Sequence, residues 1–140
     1  MGCKPFMPRF VEGVMATSTT HRDLHAWQEA MALVEIVYRA TASFPKEELF
    51  GLVNQIRRCA ISVPSNIAEG AARNSTREWV QFLGISCGSL SELETQLELA
   101  TRLGYLDANT DAMRQTNRVG RIVRALRSSL RAKVANDTDG

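Results

Sequence analysis

The sequence has few of the residues on which disulfide-bonded and metal-binding proteins of this size depend. Its 140 residues include three cysteines, without a CxxC spacing, and two histidines. An odd number of cysteines with no paired spacing is typical of a reducing compartment. We therefore expect a cytoplasmic protein in which Cys59 and Cys87, both within helical patterns, act as small apolar residues.

Long apolar runs are also missing. No stretch approaches the roughly 18 residues that a bilayer span needs, so we expect no membrane partner. Hydrophobic residues make up 44% and charged residues 23% of the chain, which is ordinary for one globular domain without disulfides or metal. The net charge of +2 does not by itself indicate nucleic acid.

Catalytic motifs are absent from the sequence. It has no Gly-rich phosphate loop, no GxSxG elbow and no Glu-x-x-His pair of the kind found in di-iron bundles. His21 and His25 share a helical face but have no acidic or cysteine partner placed by the sequence, so we predict no metal and no cofactor. Glu94 and Glu98 have the spacing of a solvated helix face. We expect a protein that is not an enzyme.

Strand-like alternation does not occur from residue 23 onward, where apolar residues recur about every 3.6 positions. The pattern predicts helices near residues 24–42, 47–70, 75–103 and 110–134, and therefore an all-α, up-down-up-down four-helix bundle over residues 23–135. We expect residues 1–22 to be a flexible tail and residues 136–140 to be disordered. The predicted core stripe of helix one is Trp27, Met31, Val34, Tyr38 and Thr41.

Helix three has the most regular pattern. Its predicted seam follows alternating steps of four and three residues through Trp79, Leu83, Ser86, Leu90, Leu93, Leu97 and Ala100. A capping box of Ser75 and Glu78 begins the helix, and Gly104 is suited to the left-handed position after it. A row of small residues beside the seam is predicted to let helix two approach closely; it consists of Gly84, Cys87, Gly88 and Ser91.

Pro64 lies within the apolar pattern of helix two. Inside a helix it removes one amide and displaces the carbonyl of Ala60. Ser62 is placed to compensate by bonding back to the carbonyl of Arg58, a geometry that bends helices. The apolar period runs unbroken through Pro64, which favours a kinked core helix over the alternative, a catalytic or binding loop.

Residues in helices one to three carry a family resemblance. They are Asp23, Leu24, Trp27, Gln28, Phe44, Pro45, Glu48, Gly51, Leu52, Gln55, Ile56, Arg57, Arg58, Phe82, Leu83, Gly88, Ser89, Glu92, Leu93, Glu94 and Thr95. The most specific part is the motif SVPSNIAEG at residues 62–70. Together these residues resemble the bacterial four-helix-bundle proteins named for intervening sequences in large-subunit ribosomal RNA genes. His25 and Cys59 depart from that pattern without threatening the fold.

The resemblance implies a cytoplasmic bundle, often a homopentamer, with no established enzymatic activity. A related group, the accessory proteins of diversity-generating retroelements, is basic and pentameric and binds nucleic acid and a reverse transcriptase. The motif and helix-bend positions in this chain are Arg57, Arg58, Pro64, Asn66, Glu69 and Gly70. We expect Asn66 and Glu69 to tie helices together or to meet an oligomer partner.

Several large apolar residues lie off the predicted stripes. They are Ile36, Phe50, Ile61, Ile85, Leu99 and Leu103. A monomeric bundle has no obvious place to bury them, and exposed apolar patches mark interfaces. We therefore predict a closed cyclic homo-oligomer with these residues at its interface.

Helix four has no acidic residue between Ala112 and Ala135 but many arginines. The predicted basic face consists of Arg114, Arg118, Arg121, Arg124, Arg127 and Arg131. One hypothesis is that this face binds the backbone of RNA or DNA. The alternative for the face itself is a solvated surface paired with Glu92, Glu94 and Glu98. The second functional hypothesis is a structural or adaptor oligomer whose arginines meet its own subunits or an acidic partner such as a reverse transcriptase.

Overall fold

The computed structural model describes residues 20–138, and these residues form a bundle of four α-helices. The helices are α1 (His25–Thr41), α2 (Leu52–Ala71), α3 (Thr76–Arg102) and α4 (Asp111–Thr138). Each helix packs against the next in sequence, and α4 returns to α1, so the four enclose one core. The predicted all-α four-helix bundle is confirmed.

The folded unit extends beyond the predicted boundaries at both ends. A 3-10 turn at His21–Asp23 precedes α1, and the His21 ring centroid lies 5.1 Å from that of Trp27. Residues 20–22, which the sequence prediction placed in the tail, are thus part of the described structure, and the rest of the predicted tail lies outside the described residues. At the other end α4 continues through Thr138, because no proline or glycine stops it at residue 135.

The start of α2 differs from the sequence prediction. Lys46–Glu48 forms a separate 3-10 turn, and the carboxylate of Glu48 accepts a hydrogen bond of 3.1 Å from the amide of Leu52. Glu48 therefore caps the helix from outside and is not part of it. Because Leu49 and Phe50 fall in the connection, they are 49% and 90% exposed.

The buried stripe of α1 is rotated from the predicted one. The buried residues of this helix are Ala26, Ala30, Leu33, Val37 and Thr41. Met31 and Tyr38, which were predicted to be core residues, are each 41% exposed. The small side chains of Ala26 and Ala30 allow close helix packing. Of the bulkier row beside them, Trp27 and Val34 are only partly buried against the core. The prediction failed because α1 carries two apolar rows, and the larger side chains were assigned to the core.

The seam of α3 is as predicted. All its members from Leu83 to Ala100 are buried, and Trp79 is half-buried at the helix start. Ser75 Oγ accepts a hydrogen bond of 3.3 Å from the amide of Glu78, which is the predicted N-cap. Gly104 has a φ of +82°, as the left-handed position after the helix requires.

The predicted row of small residues does not receive α2. Gly84 lies instead under the guanidinium of Arg127 from α4, and a Cβ added at Gly88 would meet nothing within 4 Å. One close approach of α2 to α3 occurs at Gly70. A Cβ placed there would lie 2.7 Å from Trp79 Cδ1 and 2.8 Å from Phe82 Cβ.

Candidate nucleic-acid interface and neighbouring surfaces

The motif around Pro64 joins α2 to α3. Pro64 is buried within a helix that is continuous from Leu52 to Ala71, so the loop-site alternative is wrong. Ser86 Oγ donates a hydrogen bond of 2.9 Å to the carbonyl of Val63. Ser62 Oγ lies 2.8 Å from Ser89 Oγ on α3. Ser62 therefore bonds to α3 and not, as predicted, to the carbonyl of Arg58. The bend at Pro64 stays a prediction.

The other motif residues also make structural contacts. Asn66 Nδ2 donates to the carbonyl of Ser62 at 2.8 Å, and Glu69 pairs with Arg73 at 3.0 Å. Arg57 Nε donates to Thr41 Oγ1 at 2.9 Å, and its guanidinium lies 4.4 Å from the Tyr38 ring centroid. The contacts of Arg57 tie α2 to α1, whereas those of Asn66 and Glu69 are local to α2 and the turn after it, so within the described chain these two residues do not tie helices together as expected. The motif residues thus have structural roles within the bundle.

Cys59 faces a polar groove between α2 and α3. Its Sγ donates to the carbonyl of Ser89 at 3.0 Å and lies 3.6 Å from Glu92 Oε2. Burial, together with the charge of Glu92, raises the pKa of the Cys59 thiol to about 12. The thiolate is the nucleophilic form of cysteine, so Cys59 is unreactive at neutral pH. Arg58, which is exposed, lines the same groove.

The predicted basic face of α4 divides into engaged and open arginines. Arg114 donates to the Asp111 carboxylate and to the carbonyl of Asn109. Arg118 Nε lies 3.2 Å from Glu29 Oε2 on α1. Arg127 is half-buried and donates to the carbonyl of Val80 on α3 at 3.2 Å. These three side chains already have partners within the chain, and Arg127 in particular belongs to the α3–α4 packing.

Arg121, Arg124 and Arg131 form what we call the open arginine row. All three are exposed, and within residues 20–138 none makes an ion pair. Glu94 lines a groove of about 290 Å³ with Arg121 and Arg124 but is not within ion-pair distance of either. The predicted pairing with the glutamates of α3 is therefore not formed. Over ten helical residues the row extends about 15 Å.

Glu29 connects α1 to the first half of α4. Its carboxylate accepts a hydrogen bond of 2.7 Å from Gln115 Nε2, which also donates to the Glu29 carbonyl at 3.0 Å. The bond from Gln115, with the adjacent charge of Arg118, holds the pKa of Glu29 below its ordinary value of 4.5. The negative charge of Glu29 is thus retained, and it offsets part of the positive charge of the basic face.

The lowered pKa of Glu29 predicts a pH dependence of stability. Because its folded-state pKa is below the unfolded value of 4.5, ionised Glu29 adds stability above that pH. This contribution is lost as the pH falls through the folded-state pKa. Urea midpoints measured from pH 6 to pH 3 should therefore fall less steeply for Glu29→Gln than for wild type. Glu35→Gln, an exposed change on the same helix, should keep the wild-type slope; equal slopes for all three proteins would contradict this role.

Five of the six predicted interface residues are exposed large apolar side chains. These are Phe50, Ile61, Ile85, Leu99 and Leu103. Ile36 differs, since it is half-buried and packs against the core. The assignment of these six residues to an oligomer interface stays a prediction.

The sequence prediction missed an apolar groove between α1 and α2. Six apolar residues, with Ser65, line its volume of about 310 Å³: Trp27, Met31, Val34, Ile61, Pro64 and Ala68. We call this surface the α1–α2 groove. Its residues on α1 are those that the pattern placed in the core. The sequence feature that could have predicted this groove is the presence of two apolar rows on α1.

The described residues thus form an all-α bundle whose motif is used in packing and whose exposed features are arginines and apolar side chains. Among residues 20–138 no group of three or more His, Cys, Asp or Glu side chains could hold a metal ion. No helix in that part of the chain is long and apolar enough to cross a membrane. These features define a helical-bundle protein with candidate binding surfaces.

The sequence model of the 23S rRNA-intervening sequence protein family matches residues 22–127. The chain therefore belongs to this family, and the resemblance drawn from the proline-centred motif is confirmed. A comparison with curated proteins finds no match.

Proposed function

We propose that this protein is a non-enzymatic, cytoplasmic homo-oligomer that binds the phosphate backbone of RNA or DNA through helix α4. The observation that carries the proposal is the open arginine row, three exposed guanidinium groups on a helix with no acidic residue from 113 to 134. Arginine binds phosphate through charge-assisted, often bidentate hydrogen bonds. Contacts of this kind position a protein on nucleic acid without reading its sequence.

The apolar surface supports the oligomeric part of the proposal. The α1–α2 groove and the exposed side chains of Ile85, Leu99 and Leu103 lie on different helices of one chain. Two different surfaces that meet head to tail generate a ring when the rotation closes. The family resemblance implies five subunits. A ring presents several copies of the open arginine row, so weak contacts at one copy add to strong overall binding.

A second candidate function is an adaptor that binds an acidic protein surface, with a reverse transcriptase as one such partner. The observation that favours it is the use of arginines within the chain itself. Arg118 already pairs with a carboxylate at 3.2 Å, and guanidinium groups recognise carboxylates and phosphates by the same geometry. In this case the open arginine row contacts aspartate and glutamate side chains of a partner.

The two functions are separated by a triple variant. This variant combines Arg121→Gln, Arg124→Gln and Arg131→Gln. It should weaken binding to RNA and DNA of every sequence and flatten the salt dependence of binding, because each lost phosphate contact lowers the number of counterions released on binding. Fluorescence anisotropy between about 50 and 200 mM salt measures both effects. The matched control removes the same charge elsewhere, through Arg73→Gln, Arg77→Gln and Arg102→Gln. Equal loss in both variants would indicate unspecific attraction, and the absence of any binding by wild type would favour the adaptor.

A further inference from the structure

We infer that the open arginine row binds duplex nucleic acid in preference to single strands, with a phosphate seated beside the α3–α4 groove. This inference rests on the proposed function, since it names the partner of the same surface. It depends on two observations, the absence of aromatic side chains at the row and its fixed geometry on one long helix, and the position of Glu94 supplies a test of where the phosphate binds.

Aromatic residues do not occur in α4, from Asp111 to Thr138. The neighbouring groove is lined without them as well, by Leu90, Glu94, Thr116, Asn117, Arg121 and Arg124. Proteins that hold single strands combine basic grooves with aromatic side chains on which successive bases stack. This surface offers charge without a stacking platform. A single strand would therefore leave its bases without a partner, whereas the bases of a duplex are already stacked and paired.

The geometry of the row also fits a duplex better. A helix holds its arginines at fixed positions, over about 15 Å from Arg121 to Arg131. Double-stranded DNA carries one phosphate charge per roughly 1.7 Å of its axis, at positions that the duplex keeps fixed. A flexible single strand must first be ordered along the row, and it releases fewer counterions for each phosphate contact. Contacts to phosphate alone therefore favour the duplex.

Glu94 provides a test of whether the phosphate binds beside the α3–α4 groove. Glu94 lines the same groove as Arg121 and Arg124, without forming an ion pair with either. A phosphate bound by those two arginines would approach a like charge, and like charges close together are unfavourable. Removing the charge of Glu94 should strengthen phosphate binding. The charge of Glu98, one turn further along α3, is paired with Arg102 at 3.2 Å and should have less influence.

The experiment compares a duplex of about 20 base pairs with each of its separated strands, as DNA and as RNA, using the full chain. We expect wild type to bind both duplexes at least about tenfold more tightly than the strands at 50 mM salt. With one phosphate held by Arg121 and Arg124 and a second by Arg131, each protomer that engages the nucleic acid adds about −1.8 to the slope of log affinity against log salt for duplex DNA and about −1.4 for single strands. Glu94→Gln should tighten duplex binding about threefold, and Glu98→Gln should leave it unchanged. Circular dichroism and scattering mass confirm that each variant keeps its fold and assembly.

The outcomes distinguish this inference from the proposed function. If single strands bind as tightly as duplexes, and the triple arginine variant still loses affinity, the duplex preference is wrong while phosphate binding stands. If neither form binds, the proposed function itself fails. If Glu98→Gln tightens binding as much as Glu94→Gln does, the phosphate is not seated at the α3–α4 groove.

Discussion

Gly70→Ala should lower the free energy of unfolding by about 1–3 kcal/mol, although alanine is the better helix former. The added Cβ would lie 2.7 Å from Trp79 Cδ1 and 2.8 Å from Phe82 Cβ. Phe82 Cβ is attached directly to the backbone of α3, so a rotamer change cannot relieve this clash. The end of α2 must move away from α3, and well-packed interiors resist such shifts.

A matched substitution separates crowding from helix propensity. Gly88 is also a glycine within a helix, but a Cβ placed there would meet nothing within 4 Å. Gly88→Ala should therefore raise stability by about 0.5–1 kcal/mol, as expected for an exposed helical glycine. Urea denaturation at one chain concentration measures both changes, with opposite signs expected. If Gly70→Ala is as stabilising as Gly88→Ala, α2 and α3 are not in close contact at that position.

The opposite environments of these two glycines show what sequence patterns can and cannot locate. Both lie in strongly helical segments, and the sequence prediction assigned close packing to Gly84 and Gly88 because they flank the α3 seam. The seam was correct, since its heptad spacing restricts which side of α3 can be buried. The approach of α2, however, depends on how far the two helices rotate about their axes. Periodicity within one helix contains no information about that rotation.

The error in α1 has the same physical cause. Two adjacent apolar rows were available, and the row with Trp27 and Met31 offered more area to bury. The structure instead buries Ala26 and Ala30, whose small size suits the close packing of α1 against its two neighbours, α2 and α4. Residues of the larger row instead line the α1–α2 groove at the surface. Packing of the whole bundle, and not the hydrophobicity of one helix, decided the choice.

The existence of the basic face could be predicted from the sequence, but which of its arginines are engaged and which are open could not. Charge in α4 was visible in the sequence, because no acidic residue interrupts it. The separation into engaged and open arginines was not, since it depends on contacts with distant parts of the chain. Arg118 meets Glu29 on α1, and Arg127 meets the carbonyl of Val80 on α3. A helical projection places all six arginines on the surface but cannot identify these partners.

The largest expected effect of all concerns assembly. Met31→Glu with Ile61→Glu should reduce the mass in solution from that of an oligomer to that of one chain, 15.5 kDa. In the isolated chain both residues are 41% exposed, so each carboxylate can reach water at little cost to the fold. In an assembly that covers the α1–α2 groove, each substitution would bury an unpaired charge, which is strongly unfavourable. Multi-angle light scattering at micromolar concentration measures the mass, and circular dichroism checks that the helices persist.

Leu103→Glu is the matched control for this pair of substitutions. Leu103 is 53% exposed, at the end of α3 and away from the α1–α2 groove, so the change adds a charge to a different apolar surface. If the groove is the main contact, Leu103→Glu should keep more of the oligomer than the double variant does. Dissociation by Leu103→Glu alone would move the principal interface to the end of α3. A wild-type mass of 15.5 kDa would instead show that these apolar side chains stay in water, and that the protein does not assemble with itself.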